Sequence, residues 1–161
     1  MRKRTGFLGA IAALLFATNL GAAGNGAVDF DGFWMDSDGE VILEIGPCGS
    51  SRCGKVVWLK QPLGGDGQPL RDVKNPDLRL RSRPVCGLEV VTNFAKQSDG
   101  TWRGTVYVSD EGQSFSGMAE VLSATKIKVT GFIILPILGQ SEIWTKVSAP
   151  PERCSGKTRP R

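Results

Sequence analysis

Apolar and polar residues alternate with a period of two along most of the chain. In the segment 101–108, for example, Trp102, Val106 and Val108 fall on one face and alternate with smaller or polar residues. This pattern is typical of β-strands that pack on one side only. It predicts about eight strands, near residues 31–36, 40–46, 54–60, 87–94, 101–108, 113–122, 125–133 and 141–147.

Short turn sequences separate most of these strands. Ser37-Asp38-Gly39, Ser98-Asp99-Gly100 and Asp110-Glu111-Gly112 each supply a glycine for the positive φ that tight hairpins require. Strands joined by short turns pair with their neighbours, and about eight of them in that order can close on themselves and remove exposed edges. We therefore predict an all-β fold, an antiparallel up-and-down barrel of about eight strands.

One connection is much longer than the others. It runs from Leu59 to Arg83, and Asn75-Pro76 within it suits the start of a short helical turn. We expect this loop to form a lid over one end of the barrel, because long loops in compact domains are usually functional. Its arginines, including Arg81 and Arg83, suit an acidic head group at the barrel mouth. The alternative is that they are solvated.

An apolar run, from Phe132 to Leu138, crosses the last predicted hairpin, where polar turn residues are expected. A contiguous exposed apolar patch usually marks an interaction site. We therefore predict contact with a membrane surface or a protein. The alternative is that the run folds over the barrel end and completes the core. The interaction candidates are Phe132, Ile134, Leu135, Ile137 and Leu138.

Residues 1–23 have the pattern of a secretory signal peptide. A basic start precedes the apolar segment 6–20, and small residues follow at 21–23. The apolar segment is shorter than the ~20 residues of a membrane span, which disfavours an uncleaved anchor. No cysteine lies near the expected cut to carry a lipoprotein anchor. We predict a periplasmic or secreted protein with a barrel domain at 24–150 and a basic tail at 151–161.

Charge and composition exclude several functions. The chain has a net charge of +4, but much of the positive charge lies in the leader and the tail, so nucleic-acid binding is not expected. Histidine is absent, which removes histidine-based triads and most zinc and copper sites. The chain contains neither a Gly-x-Ser-x-Gly motif nor a phosphate-binding loop in the required context. We predict no enzymatic activity, no cofactor and no metal.

Four cysteines, Cys48, Cys53, Cys86 and Cys154, occur in an exported chain, which points to disulfides. Three pairings are open to them, and we favour Cys48–Cys53 and Cys86–Cys154. The first pair would clamp a predicted hairpin, and the second would close a long stretch of chain. A four-thiolate zinc site is the alternative, but Cys86 and Cys154 lack the close spacing of zinc ribbons.

Two short motifs resemble the lipocalin pattern. Gly32-x-Trp34 lies on the first predicted strand, and Lys146 lies on the last. In lipocalins such a tryptophan plugs the closed end of the barrel, and a cation lies across its ring. The resemblance implies the same structural role for Gly32, Trp34 and Lys146.

A wider set of residues is similar to an uncharacterised family of exported bacterial proteins, the domain-of-unknown-function 2147 family. The resemblance covers about residues 29–147 and implies a lipocalin-like barrel that binds small apolar ligands. The chain departs from the family pattern in the hairpin 107–115, and Phe132 and Gly139 stand where many relatives have cysteines. The matching residues include Cys53-Gly54-Lys55-Val56-Val57-Trp58-Leu59, Asp72-x-Lys74-Asn75-Pro76-Asp77, Arg83-Pro84, Tyr107, Gly112, Gly131 and Trp144.

Together these observations favour an exported barrel that binds a small apolar or amphipathic ligand in its mouth. The second hypothesis is an envelope interaction or stress-related protein with a filled barrel and no ligand. The third is an enzyme without histidine chemistry. The aromatic residues have core packing as an alternative role. The candidate ligand contacts are Trp58, Arg81, Arg83, Tyr107 and Trp144.

Overall fold

Eight antiparallel strands form a closed barrel in strict up-and-down order, and β1 pairs with β8 to complete it. The computed structural model describes residues 30–150 and 152–154. The predicted signal peptide and most of the predicted tail lie outside these residues. The predicted barrel is confirmed. Its strands are β1 (Gly32–Met35), β2 (Val41–Cys48), β3 (Ser51–Leu59), β4 (Glu89–Lys96), β5 (Trp102–Val108), β6 (Gln113–Ser123), β7 (Lys126–Phe132) and β8 (Gln140–Val147).

The up-and-down order gives the barrel two different ends. The turns β2–β3, β4–β5 and β6–β7 lie at one end together with Phe30, and we call this the plug end. The turns β1–β2 and β5–β6, the long loop 60–88 and the β7–β8 hairpin 133–139 lie at the other, the open end. Two 3-10 turns, Leu78–Leu80 and Pro136–Leu138, belong to the open end. In the described part of the chain, no helix is long and apolar enough to cross a membrane.

An aromatic cluster fills the barrel near the plug end. Trp34 is fully buried, and its indole N–H donates to the carbonyl of Phe30 at 2.9 Å. The Lys146 ammonium lies 5.1 Å from the centroid of the Trp34 ring. Phe30 stacks on both Phe94 and Trp102, with ring centroids 5.9 and 5.1 Å apart. Lys146 therefore lies where the Gly-x-Trp resemblance predicts a cation.

Glycines on two neighbouring strands make room for one of these rings. A Cβ on Gly117 would lie 2.6 Å from the Phe94 ring, and one on Gly104 would also collide with it. Large rings and absent side chains thus interdigitate in the narrow interior, as small barrels require. The remaining core is aliphatic and comes mainly from β2, β3 and β4.

Two disulfides hold the covalent framework, and they join the pairs that the spacing favours. Cys48–Cys53 clamps the β2–β3 hairpin at the plug end. Cys86–Cys154 ties the segment after β8 to the chain just before β4. Beside it, the Cys154 amide donates to the Val57 carbonyl at 2.6 Å. The segment after β8 is therefore held along the outside of the barrel.

The two disulfides should contribute unequally to stability. Cys86–Cys154 closes 68 residues, whereas Cys48–Cys53 closes five. Because the loss of unfolded-state entropy grows with loop length, replacing both cysteines of the long loop by serine should cost about 4 kcal/mol, and those of the hairpin about 2 kcal/mol. Guanidinium unfolding of the two double variants measures the difference. Equal losses would contradict the prediction.

Candidate functional site

The open end of the barrel contains a cavity of about 480 Å3. This volume lies within the range of small-molecule sites, about 300–1,000 Å3. The inner faces of β5 to β8 and the β7–β8 hairpin form its walls. A smaller apolar void of about 40 Å3 lies deeper and shares Val106, Val129 and Trp144 with it. The cavity is lined by Val106, Val108, Glu111, Phe115, Val129, Gly131, Phe132, Ile133, Leu138, Gly139, Gln140, Glu142 and Trp144.

A missing side chain on β7 helps to create this space. Gly131 lies two positions beyond Val129 on the cavity-facing side of the strand. A Cβ at Gly131 would meet no atom within 4 Å, so the room there is open. The cavity wall thus lacks a side chain at Gly131, whereas rings fill the opposite end of the barrel.

The cavity-facing side of β8 is polar, which differs from the other strands. Gln140, Glu142 and Trp144 line the cavity, and the Trp144 indole N–H donates to Glu142 Oε2 at 2.9 Å. Ile143 lies on the outer face and is 42% exposed. The expected apolar inner face is therefore absent from β8. The predicted role of Lys146 at the plug implies this polar face. A plug cation must point into the barrel, and Trp144 and Glu142, two and four positions earlier, lie on the same face of the strand.

The structure brings only some of the predicted ligand contacts to the cavity. Trp144 lines it, whereas Trp58 is half-buried on β3 opposite Ile42 and does not. Arg81, Arg83 and Tyr107 belong to a separate cluster described below.

The apolar run 132–138 is divided between two environments. Phe132 and Leu138 line the cavity, and Leu138 is also 78% exposed. Ile134, Leu135 and Ile137 form the exposed tip of the hairpin, with Ile137 87% exposed. The run therefore lies over the open end of the barrel, yet most of it still faces solvent.

A buried carboxylate fastens the long loop to the barrel. Asp72 is fully buried and accepts hydrogen bonds from the Tyr107 hydroxyl at 2.6 Å, Asn75 Nδ2 at 2.8 Å and Arg83 Nε at 2.9 Å. Tyr107 alternates on β5 with the cavity-lining Val106 and Val108. The loop is thus attached to the face of β5 that points away from the cavity.

Other contacts complete this attachment. Arg81 Nε donates to the Asn75 carbonyl at 2.7 Å, and the Arg83 guanidinium lies 5.6 Å from the Tyr107 ring centroid. Gly112 has a φ of +68°, and a Cβ there would collide with the Lys74 carbonyl, so glycine suits this position on both counts. No residue of the segment 59–83 lines the cavity. The role of this loop as a lid stays a prediction.

The hydrogen bonds that attach the loop shift the pKa values of Asp72 and Tyr107. Burial acts to raise the pKa of Asp72, but the hydrogen bonds from Tyr107, Asn75 and Arg83, with the charge of Arg83, outweigh it and lower that pKa. Burial raises the pKa of Tyr107, and the hydrogen bond to Asp72 and its negative charge raise it further. Among the described residues, no buried polar side-chain atom lacks a partner, and no group of three acidic or cysteine side chains could hold a metal ion.

These two pKa shifts predict a pH range over which the stability of the fold is highest and nearly constant. The lowered pKa of Asp72 stabilises the fold above its ordinary value of 3.8, and this contribution is lost as the pH falls through the folded-state pKa. The raised pKa of Tyr107 stabilises the fold below the ordinary value of 10.0, and this contribution is lost as the pH rises through the folded-state pKa.

Tyrosinate absorbance tests the network directly, because Tyr107 is the only tyrosine of the chain. Native protein should titrate above 10.0. Asp72→Asn should lower the midpoint, since it removes the negative charge beside the hydroxyl. Asp99→Asn, at an exposed turn of the plug end, should leave the midpoint unchanged. A native midpoint at or below the ordinary value would refute the network.

Comparisons with known proteins agree with this architecture. A solved structure, protein HP1028 from the human pathogen Helicobacter pylori, is described as belonging to the lipocalin family. It matches with a TM-score of 0.63 at 16% identity, over 74% of this chain and 84% of that chain. At this identity the likeness shows the fold alone. A search of curated protein sequences gives no significant match.

A family model gives the second finding. The model is described as an uncharacterized protein conserved in bacteria, domain-of-unknown-function 2147, and it matches residues 32–146. The match extends from the first strand of the barrel to the last, including the Asp72 loop. This lipocalin-like barrel therefore belongs to the domain-of-unknown-function 2147 family.

Proposed function

We propose that this protein is an exported binding protein that holds a small apolar or amphipathic molecule in its open-end cavity. The cavity of about 480 Å3 is the observation that carries the proposal. A barrel filled at both ends would instead favour a purely structural role. We assign no catalytic step, since the chain has no histidine and the cavity shows no paired acid and base.

The walls suit an apolar molecule. Val106, Phe115 and Val129 offer side chains from three strands, and Trp144 supplies an aromatic surface at the bottom. Each Å2 of apolar ligand surface removed from water contributes roughly 25 cal/mol. Because the plug and the disulfides hold the barrel, little ordering is needed on binding, and less of this gain is lost.

Export is supported by the covalent framework. All four cysteines of the chain are paired, and disulfides persist mainly in oxidising compartments. The leader at 1–23 has the composition of a signal peptide. A periplasmic or secreted protein of this kind would meet ligands outside the cytoplasm.

Filling the cavity should weaken binding. Gly131→Phe places a ring in the open space without a collision at Cβ, and it should weaken binding of the neutral fluorescent probe N-phenylnaphthylamine about tenfold or more, or ~1.4 kcal/mol. Gly46→Phe is the matched control. A Cβ at Gly46 would also meet no atom within 4 Å, but this residue lies on β2 away from the cavity. Equal binding by both variants would refute the cavity as the site.

A second function is favoured by the distribution of exposed apolar side chains. Among the described residues, the large exposed apolar side chains lie in the long loop or the β7–β8 hairpin, except Leu122 and Ile143. They therefore lie at the open end of the barrel, where an apolar ligand would enter. We propose that these exposed side chains contact a lipid surface, because a ligand that leaves lipid at the open end avoids exposure to water.

The hairpin tip should govern this contact. The double variant Ile134→Ser/Ile137→Ser changes exposed residues that do not line the cavity, so it should reduce co-sedimentation with phosphatidylcholine vesicles about tenfold. Leu122→Ser removes an exposed apolar residue at the plug end and should have no effect. Loss of N-phenylnaphthylamine binding is not expected in either variant. Unchanged sedimentation of the double variant would rule out this contact.

A further inference from the structure

We infer that the cavity selects amphiphiles that carry a positively charged nitrogen on an apolar body. This inference rests on the proposed function and names the class of its ligand. It follows from the ionisable groups of the cavity, from the position of one carboxylate beside an indole, and from the location of the basic side chains elsewhere.

The cavity contains acidic side chains and no basic ones. Glu111 and Glu142 are its only ionisable lining residues, and Gln140 is its only other polar side chain apart from the Trp144 indole. Within the described part of the chain, neither carboxylate takes part in an ion pair with Lys or Arg. The charge of this site is therefore left for a ligand or for water to balance.

The position of Glu142 suggests how a cation would be held. Its Oε2 accepts a hydrogen bond from the Trp144 N–H, which holds one carboxylate oxygen in place. The other oxygen, Oε1, can accept hydrogen bonds from further donors. The two side chains share the cavity-facing side of β8, two positions apart. An ammonium group near both would gain a charge interaction with the carboxylate and a cation–π interaction with the indole.

Apolar residues lie on both sides of Glu142 in the cavity. Val106, Val129 and Trp144 border both the cavity and the inner apolar void, so they mark the bottom, and Val129 is directly opposite Glu142. Ile133 and Leu138, in the β7–β8 hairpin, line the cavity nearer the mouth. An amphiphile would thus place its charged nitrogen beside Glu142 and its apolar body against these apolar walls.

A ligand with a carboxylate head group would find no cationic partner among the residues that line the cavity. Arg83 is paired with the buried Asp72, and Arg79 is paired with Asp77 at 2.7 Å. These side chains belong to the long loop, which does not line the cavity. A second carboxylate near Glu142 would instead be repelled in a partly water-excluded space. Fatty-acid-like ligands are therefore disfavoured.

A matched ligand series tests the inference. Decyltrimethylammonium, decanol and decanoate have linear apolar chains of nearly equal length and differ in head-group charge. Titration of the whole protein below the critical micelle concentrations, followed by calorimetry and tryptophan fluorescence, should show the ammonium binding about tenfold or more tighter than the carboxylate, with the alcohol between them. This comparison uses the wild-type protein, so it does not depend on the folding of any variant.

Removal of the carboxylate gives the second test. Glu142→Gln should weaken decyltrimethylammonium binding about tenfold and change decanol binding less than about twofold. Glu120→Gln removes the same charge from the outer face of β6 and should leave both affinities unchanged.

Equal binding of all three ligands, or a preference for decanoate, would overturn the inference but keep the proposed function. Binding of none of them, nor of N-phenylnaphthylamine, would overturn both.

Discussion

The packing of Trp34 under the Lys146 side chain closes one end of the barrel, and the remaining architecture depends on that closure. Phe30 and Trp102 stack beside this pair, and the indole N–H finds a backbone acceptor, so the large rings are buried without an unpaired donor. A closed barrel of this size has little interior volume. Because the rings occupy the plug end, the remaining space lies at the open end.

The contrast between the ring-filled plug end and the open end with its cavity also explains where polar groups occur inside the barrel. The plug end tolerates the Lys146 cation because its charge lies against an aromatic face. At the open end, Gln140 and Glu142 face a space that connects with solvent, so their polar groups are not stripped of water when the site is empty. The cost of burying Glu142 arises only when a ligand displaces that water, and a cationic ligand offsets this cost.

The long loop is held against the barrel by a buried polar network. Its buried Asp72 is surrounded by Tyr107, Asn75 and Arg83, and each of these partners is satisfied by the others. Such a network specifies one position for the loop, because losing any partner would leave a buried polar group unpaired. The family motif around Asp72 is therefore explained by loop attachment, and the cavity is left to β5 through β8.

The sequence predicted the parts of the structure that depend on local pattern. Alternation and turn glycines placed the eight strands within a few residues, and the Gly-x-Trp motif indicated the plug. A ligand site in the barrel mouth and its contact Trp144 were predicted, but most of the cavity walls were not, because they depend on the absence of a side chain at Gly131 and on polar residues at inward positions of β8. The Asp72 network escaped prediction because its partner Tyr107 is 35 residues away, a distance over which alternation carries no information.

Native mass spectrometry of the protein purified from its own host tests the central claim most directly. If the open-end cavity holds a ligand, the intact protein should carry a reproducible small-molecule adduct that is released on unfolding and is absent from the Gly131→Phe variant. A bare protein mass for the wild type, or the same adduct on the variant with the filled cavity, would contradict the account.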